Sequence, residues 1–103
     1  TTTSISSRTV SQSNAVKTAA SYLRSSSFSR TGLIKQLQFE GFSLDDSTYG
    51  VDAQNADWNA QAAKTAASYL KISSFSRSGL INQLLYEGFT SGEAEYGVST
   101  AGL

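Results

Sequence analysis

Apolar residues recur at helical spacing near the start of the chain. Ala15, Ala19, Tyr22 and Leu23 fall on one stripe of a helix, so the pattern predicts a first helix over roughly residues 12–24. The serine-rich stretch that follows predicts a turn.

A second helix is predicted to start after Ser29. That residue has the position and chemistry of an N-cap, and Phe28 just before it can pack on Leu33 in the first turns of the helix. Leu33 and Leu37 are expected to face the core. Gly41 is expected to end the helix in the left-handed conformation that glycine adopts readily.

A third helix is predicted to begin shortly after this glycine. Ser43 and Asp46 have the spacing of a capping box, and Tyr49 and Val51 supply the apolar side of the helix. Helices this short do not persist alone in water, so the three are expected to stabilise one another by packing.

The whole pattern occurs twice. Residues 14–52, moved forward by 47 positions, match residues 61–99 at 24 of 39 positions. Residues 53–60 connect the two copies, and Asp57 and Thr90 are the expected N-caps of the first and third helices of the second copy. The sequence therefore predicts an all-α protein built as a tandem pair of three-helix, helix-turn-helix-like repeats.

Most aromatic residues recur in both copies at helical spacing, and these are expected in the core. Phe39 and its counterpart Tyr86 are among them. Trp58 differs, because Ser11 has its position in the first copy. Since Trp58 lies in the connector, it is expected to hold the two repeats together.

Residues 1–13 contain nine Ser or Thr and little that could be buried. This composition favours a solvated tether between an anchor and a folded domain. The frayed end of a trimmed chain fits the composition equally well, and both alternatives stay open. The first residue is Thr rather than Met, so we expect a processed or trimmed chain whose signal peptide or lipid-bearing Cys lies upstream.

The chain lacks the residues that catalysis, metal binding and membrane insertion usually need. There is no Cys and no His, so we expect neither catalysis nor a cofactor. A metal site is not expected either, because Asp45, Asp46 and Asp52 lack the glycine and terminal glutamate of a calcium loop. No apolar run approaches the length of about 20 residues that a membrane-spanning helix needs.

The net charge is zero, but each repeat is basic at its start and acidic at its end. One interpretation is compensation of helix dipoles, and the other is an acidic face that binds a basic partner. Capping explains much of Asp46 and Glu93 but not the remaining acids of the third helices. The candidate partner-binding residues are Asp45, Asp46, Asp52, Trp58, Glu93 and Glu95.

Tandem helix-turn-helix units also suggest a nucleic-acid-binding module, in which Arg30, Lys35 and Arg77 would contact phosphates. The zero net charge and the acidic third helices oppose this hypothesis, because they would repel phosphate. The second copy also replaces Lys35 with Asn82. We expect no nucleic-acid partner, and keep this module as the alternative function.

Several short motifs keep their order and spacing in both copies and resemble the host cell surface-exposed lipoprotein repeat of Gram-positive bacteria and their prophages. The resemblance covers residues 14–99 in two copies. The first copy departs from it at Ser11, which replaces the tryptophan, and at Ser47 and Thr48. The motifs in the second copy are Trp58-Asn59-Ala60, Ala67-Ser68-Tyr69-Leu70, Phe75-Ser76-Arg77-Ser78-Gly79-Leu80-Ile81, Gln83-Leu84, Tyr86-Glu87-Gly88-Phe89 and Ala94-Glu95-Tyr96-Gly97-Val98.

This resemblance implies the outer part of a prophage superinfection-exclusion lipoprotein. Such family members lie outside the cell membrane and stop a second phage from delivering its DNA. The implied partner is a phage protein, with the tape measure protein as the expected target. The implied location is the extracellular face of the membrane, through a lipid anchor upstream of this chain, and we expect a monomer. A module for adhesion to the host surface or cell wall is a further possibility, since the same repeat need not always serve exclusion.

Overall fold

The computed structural model describes residues 8–103. Their only regular secondary structure is α-helix, as predicted. Statements about residues 1–7 of the expected tether lie outside the described residues. The helices are α1 (Val10–Ser25), α2 (Arg30–Phe39), α3 (Leu44–Asp52), α4 (Trp58–Ile72), α5 (Arg77–Tyr86) and α6 (Ser91–Thr100).

Helices α2, α4 and α6 start where the sequence predicts, because the expected side chains cap them. The backbone N–H of Gly32 donates to Ser29 Oγ at 2.9 Å, and that of Ala60 donates to Asp57 Oδ1 at 3.0 Å. Thr90 forms the complete capping box with the third residue of α6. Each of these bonds satisfies an N–H group that has no partner inside the helix.

Helix α1 starts earlier than predicted. The N–H of Gln12 donates to Thr9 Oγ1 at 3.0 Å, and the N–H of Thr9 donates to Gln12 Oε1 at 2.9 Å. This reciprocal pair is a capping box whose Thr-x-x-Gln spacing is visible in the sequence. Residues 10–13, which composition assigned to the tether, therefore form the first turn of α1.

The chain divides into two compact units that do not coincide with the sequence repeats. Unit 1 contains the described residues 8–25 together with Leu33–Asn55, and unit 2 contains Ser26–Gly32 and Ala56–Leu103. The serine-rich turn of the first repeat and the first residues of α2 thus belong to unit 2. The boundary between the units falls inside α2.

Within unit 1, α1 packs chiefly against α3. The approach is close at Gly50, where an added Cβ would lie 2.6 Å from the carbonyl carbon of Ala15. Only a residue without a side chain fits there. The buried apolar residues of this unit are Ala15, Ala19, Leu33, Ile34, Leu37 and Val51.

Unit 2 repeats this arrangement with α4 against α6, and α5 packs on both. Gly97 approaches Ala62 as Gly50 approaches Ala15, again at 2.6 Å for an added Cβ. The predicted burial of Leu33, Leu37, Leu80 and Leu84 is confirmed in both units. The core of unit 2 comprises Ala62, Ala66, Leu80, Leu84, Phe89, Ala94 and Val98.

The predicted glycine stops are also confirmed. Gly41 has φ +107° and Gly88 has φ +105°, values that residues with a side chain rarely adopt. The N–H of Phe42 returns to the carbonyl of Leu37 at 3.2 Å, which closes the end of α2.

The expected burial of three aromatic side chains is wrong, because Tyr96 is 50% exposed and two others are exposed further. Phe39 and Tyr86, the last residues of α2 and α5, are each 87% exposed. Helical spacing predicted that they face the core, but each is the last residue of its helix and its side chain remains in solvent. The exposure recurs at equivalent positions of both repeats.

Candidate binding surfaces

The acidic candidates of unit 1 do not form one cluster. Asp45 and Asp46 lie in the first turn of α3, where the helix dipole favours negative charge. Asp52 is the last residue of the same helix. Asp52 lies seven positions after Asp45 on the helix, a rise of roughly 10 Å. Asp45 and Asp52 are exposed, and Asp46 is partly buried.

In unit 2, the two acidic candidates have different roles. Glu93 Oε1 accepts from the N–H of Thr90 at 3.0 Å and so belongs to the helix cap. Glu95 is exposed. Residues two positions apart on a helix do not face the same direction, so these two carboxylates are not one site.

Trp58 is the first residue of α4 and is partly buried. Asp57 is the N-cap of α4, as predicted, so residues 58–60 of the connector belong to the first turn of α4. Of the basic residues named for phosphate contact, Lys35 is exposed on α2, and Arg77 Nη1 donates to Ser99 Oγ at 3.0 Å.

Within residues 8–103, no group of three or more acidic side chains is placed so that it could hold a metal ion. Among the candidate acids, Glu93 belongs to a helix cap, whereas Asp45 and Glu95 are exposed.

The structure reveals a feature that the sequence reasoning missed, a cleft at equivalent positions of the two units. In unit 1 the cleft has a volume of about 390 Å³ and is lined by Lys17, Thr18, Ser21, Tyr22, Ser25 and Glu40. In unit 2 it has about 230 Å³ and is lined by Thr65, Ser68, Tyr69, Ile72 and Glu87, together with Ser26 and Ser27. Thr, Ser, Tyr and Glu recur in both linings at an offset of 47 residues.

A tyrosine hydroxyl organises each cleft. Tyr22 donates its hydroxyl to Glu40 Oε2 and accepts from Gln36 Nε2 at 3.2 Å. Tyr69 accepts from Gln83 Nε2 at 3.1 Å, and its ring packs edge-on against Phe75 with centroids 5.7 Å apart. The signal for these clefts was present in the repeated Lys-Thr-Ala-Ala-Ser-Tyr run, whose polar members were assigned to no site.

The two glutamates differ in their surroundings. Glu40 is exposed, whereas Glu87 is partly buried. Burial raises the pKa of the Glu87 carboxyl above its ordinary value, because desolvation disfavours the charged form. Unit 2 therefore covers its glutamate more completely than unit 1 does.

Comparison with protein families assigns this two-repeat chain to a family. The profile of the host cell surface-exposed lipoproteins matches residues 11–53 and, a second time, residues 57–100. The chain belongs to the host cell surface-exposed lipoprotein family. The matches cover most of the chain and divide it as the internal repeat does, so the resemblance stated from the motifs is confirmed.

Membership in the host cell surface-exposed lipoprotein family indicates a lipoprotein displayed at the cell surface. In the described residues, no helix has the length and apolar character needed to cross a membrane. Neither a search of curated proteins nor one of solved structures found a match.

Proposed function

We propose that this chain is the surface-tethered binding module of a superinfection-exclusion lipoprotein, which blocks DNA injection by an incoming phage. It acts by binding a phage protein and not by catalysis. The observation that carries the proposal is the match of both repeats to the surface-exposed lipoprotein family. A protein displayed outside the membrane meets an injecting phage before the DNA reaches the cell.

The surfaces of the two units supply residues suited to protein binding. Phe39 and Tyr86 expose an aromatic ring at the same position of each repeat, and aromatic side chains often dominate the energy of protein interfaces. Exposed Asp45, Asp52 and Glu95 add negative charge on the third helices. Charges of this kind attract a basic partner and raise its association rate.

The proposed mechanism is occlusion. The module captures a basic or amphipathic segment of the phage tape measure protein while that protein is passing to the membrane, and the captured segment can no longer complete the path for DNA. A lipid anchor upstream of this chain holds the module at the extracellular face. The module does not need to consume or release a product, so binding alone accounts for the effect.

The experiment displays the chain on a phage-sensitive host through a lipid anchor and measures adsorption and DNA delivery separately. We expect phage adsorption to be unchanged and DNA delivery to be strongly reduced. The matched control is Leu84→Arg, which places a charge in the core of unit 2 and unfolds it, displayed at the same level. Equal DNA delivery with the native chain and the control would contradict the proposal, and reduced adsorption would indicate a block at the receptor instead.

A further inference from the structure

The segment Ser26–Gly32, here called the docking segment, lies across the cleft of unit 2 through a row of hydrogen bonds. The hydroxyls of Ser27 and Thr65 are 2.8 Å apart. The N–H of Phe28 donates to Gln61 Oε1 at 3.0 Å. Thr65 and Gln61 are 5% and 9% exposed, so the docking segment removes both polar side chains from water.

The same row continues at the end of α5. Ser29 Oγ donates to the carbonyl of Glu87 at 2.6 Å, and Thr31 Oγ1 donates to the carbonyl of Gly88 at 2.9 Å. Ser29 is only 2% exposed. These carbonyls belong to the end of a helix, where the helix itself supplies no donor. The docking segment satisfies them.

Both halves of this contact occur a second time in the chain. The docking segment reads Ser-Ser-Phe-Ser-Arg-Thr-Gly, and Ser73–Gly79 reads Ser-Ser-Phe-Ser-Arg-Ser-Gly. The four groups that receive the docking segment have counterparts of the same chemistry in the first repeat, which we call the receiving face: Asn14, Thr18, Glu40 and Gly41.

The second docking sequence, Ser73–Gly79, and the receiving face are both open to solvent in the described structure. Ser74 and Ser76 are exposed, in contrast to Ser27 and Ser29. An added Cβ on Gly88 would meet Thr31 Oγ1 at 2.2 Å, whereas one on Gly41 meets nothing within 4 Å.

The receiving face is open in the same way. Asn14 is exposed where Gln61 is buried, and Glu40 is exposed where Glu87 is partly buried. The described chain thus presents one exposed docking sequence and one exposed receiving face, which correspond to the two halves already joined within unit 2.

We propose that Ser73–Gly79 of one copy of this chain docks on the receiving face of a second copy. The hydroxyl of Ser74 pairs with Thr18, and the N–H of Phe75 donates to the side-chain carbonyl of Asn14. Ser76 then donates to the carbonyl of Glu40, and Ser78 to that of Gly41. Because the two surfaces differ, the contact is head-to-tail and each added copy presents a fresh surface of the same kind.

The contact between two chains is expected to be weak. Within one chain, the covalent connection supplies the docking segment at an effective concentration in the millimolar range. Between chains that advantage is missing, so we expect a dissociation constant of roughly 0.1–1 mM. The chain is then the expected monomer in dilute solution, and association occurs where copies are crowded, as on a surface that displays many of them.

The test uses two variants that each block one half. Thr18→Arg places a long charged side chain on the receiving face, and Ser74→Arg places one on the exposed docking sequence. Gln38→Arg, at an exposed position of α2 outside both surfaces, is the control. Sedimentation and ¹⁵N-resolved NMR spectra are recorded from about 20 μM to 2 mM, a range that brackets the expected constant.

The wild-type chain and the control should associate with rising concentration, with spectral shifts confined to the receiving face and Ser73–Gly79. Each blocked variant alone should associate at least tenfold more weakly than the wild-type chain. An equimolar mixture of the two should form a dimer and stop there, because each variant keeps the half that the other lacks. Self-association of wild-type strength in either blocked variant, or a mixture that stays monomeric, would overturn the proposal.

Discussion

A Cβ atom placed on Gly50 would lie 2.7 Å from the carbonyl oxygen of Ala15. That distance is well inside van der Waals contact, so the backbones of α1 and α3 touch at this point. Gly97 and Ala62 repeat the relationship at the same distance in unit 2. The close approach of the first and third helices is therefore the packing rule of this repeat, and it requires glycine at one position in each copy.

We expect Gly97→Ala to destabilise unit 2. The methyl group must push apart two backbones, and overpacking of this kind costs about 1–3 kcal/mol. Gly92→Ala on the same helix is the control, because nothing lies within 4 Å of its added Cβ. Alanine there should be neutral or should stabilise by up to about 1 kcal/mol through helix propensity. Equal melting temperatures for Gly97→Ala and the native chain would show that the two helices are further apart than described.

Ser47 offers a second comparison between the repeats. Its side chain is fully buried, and among residues 8–103 its hydroxyl oxygen has no hydrogen-bond partner. Ala94 has the equivalent position in the second repeat and is equally buried. A buried hydroxyl without a partner is costly, so Ser47→Ala should stabilise the chain by about 1–2 kcal/mol.

The reciprocal change, Ala94→Ser, should destabilise unit 2 by a similar amount. Denaturant unfolding of both variants beside the native chain measures the two signs together. A loss of stability in Ser47→Ala would mean that its hydroxyl has a partner in solution.

Much of this fold could be predicted from the sequence, because caps and glycine stops are local signals. Ser29, Asp57 and Thr90 marked helix starts by their own chemistry, and Gly41 and Gly88 marked helix ends. The exposure of Phe39 could not be predicted, since helical spacing gives the direction of a side chain but not whether another element covers it.

The clefts could not be predicted from the sequence for a related reason. Tyr22 and Glu40 are separated by a whole turn and helix along the chain, and only the packing brings them together. The docking segment was not predicted either, because Ser26–Gly32 lies inside the first repeat in sequence yet belongs to unit 2. Repetition in a sequence identifies equivalent residues, but it does not say which copy a loop contacts.

The acidic residues of the third helices are expected to affect the rate of partner binding. The combined variant Asp45→Asn, Asp52→Asn and Glu95→Gln should associate more slowly with the phage protein, and wild-type association should slow with added salt. Single changes should be nearly silent, since isolated exposed charges contribute little. Salt-independent, unaltered association of the triple variant would transfer the site to an apolar surface, with Trp58 as the next candidate.

Specific binding to duplex DNA is not expected. The net charge is zero, and acidic residues occupy the first turns of α3 and α6. Such charges repel the phosphate backbone, which supplies most of the affinity in protein–DNA complexes. Fluorescence anisotropy with labelled duplexes at low and at physiological salt tests this point. A submicromolar, salt-sensitive complex would favour the alternative, a tandem helix-turn-helix nucleic-acid-binding module.

The most direct test of the account is binding of the purified chain to the purified tape measure protein of a phage that the displayed chain excludes. We expect a saturable one-to-one complex with a dissociation constant of about 1 μM or below, and no complex with the tape measure protein of a phage that escapes exclusion. Exclusion by the displayed chain together with no detectable binding to that protein would contradict the proposed partner.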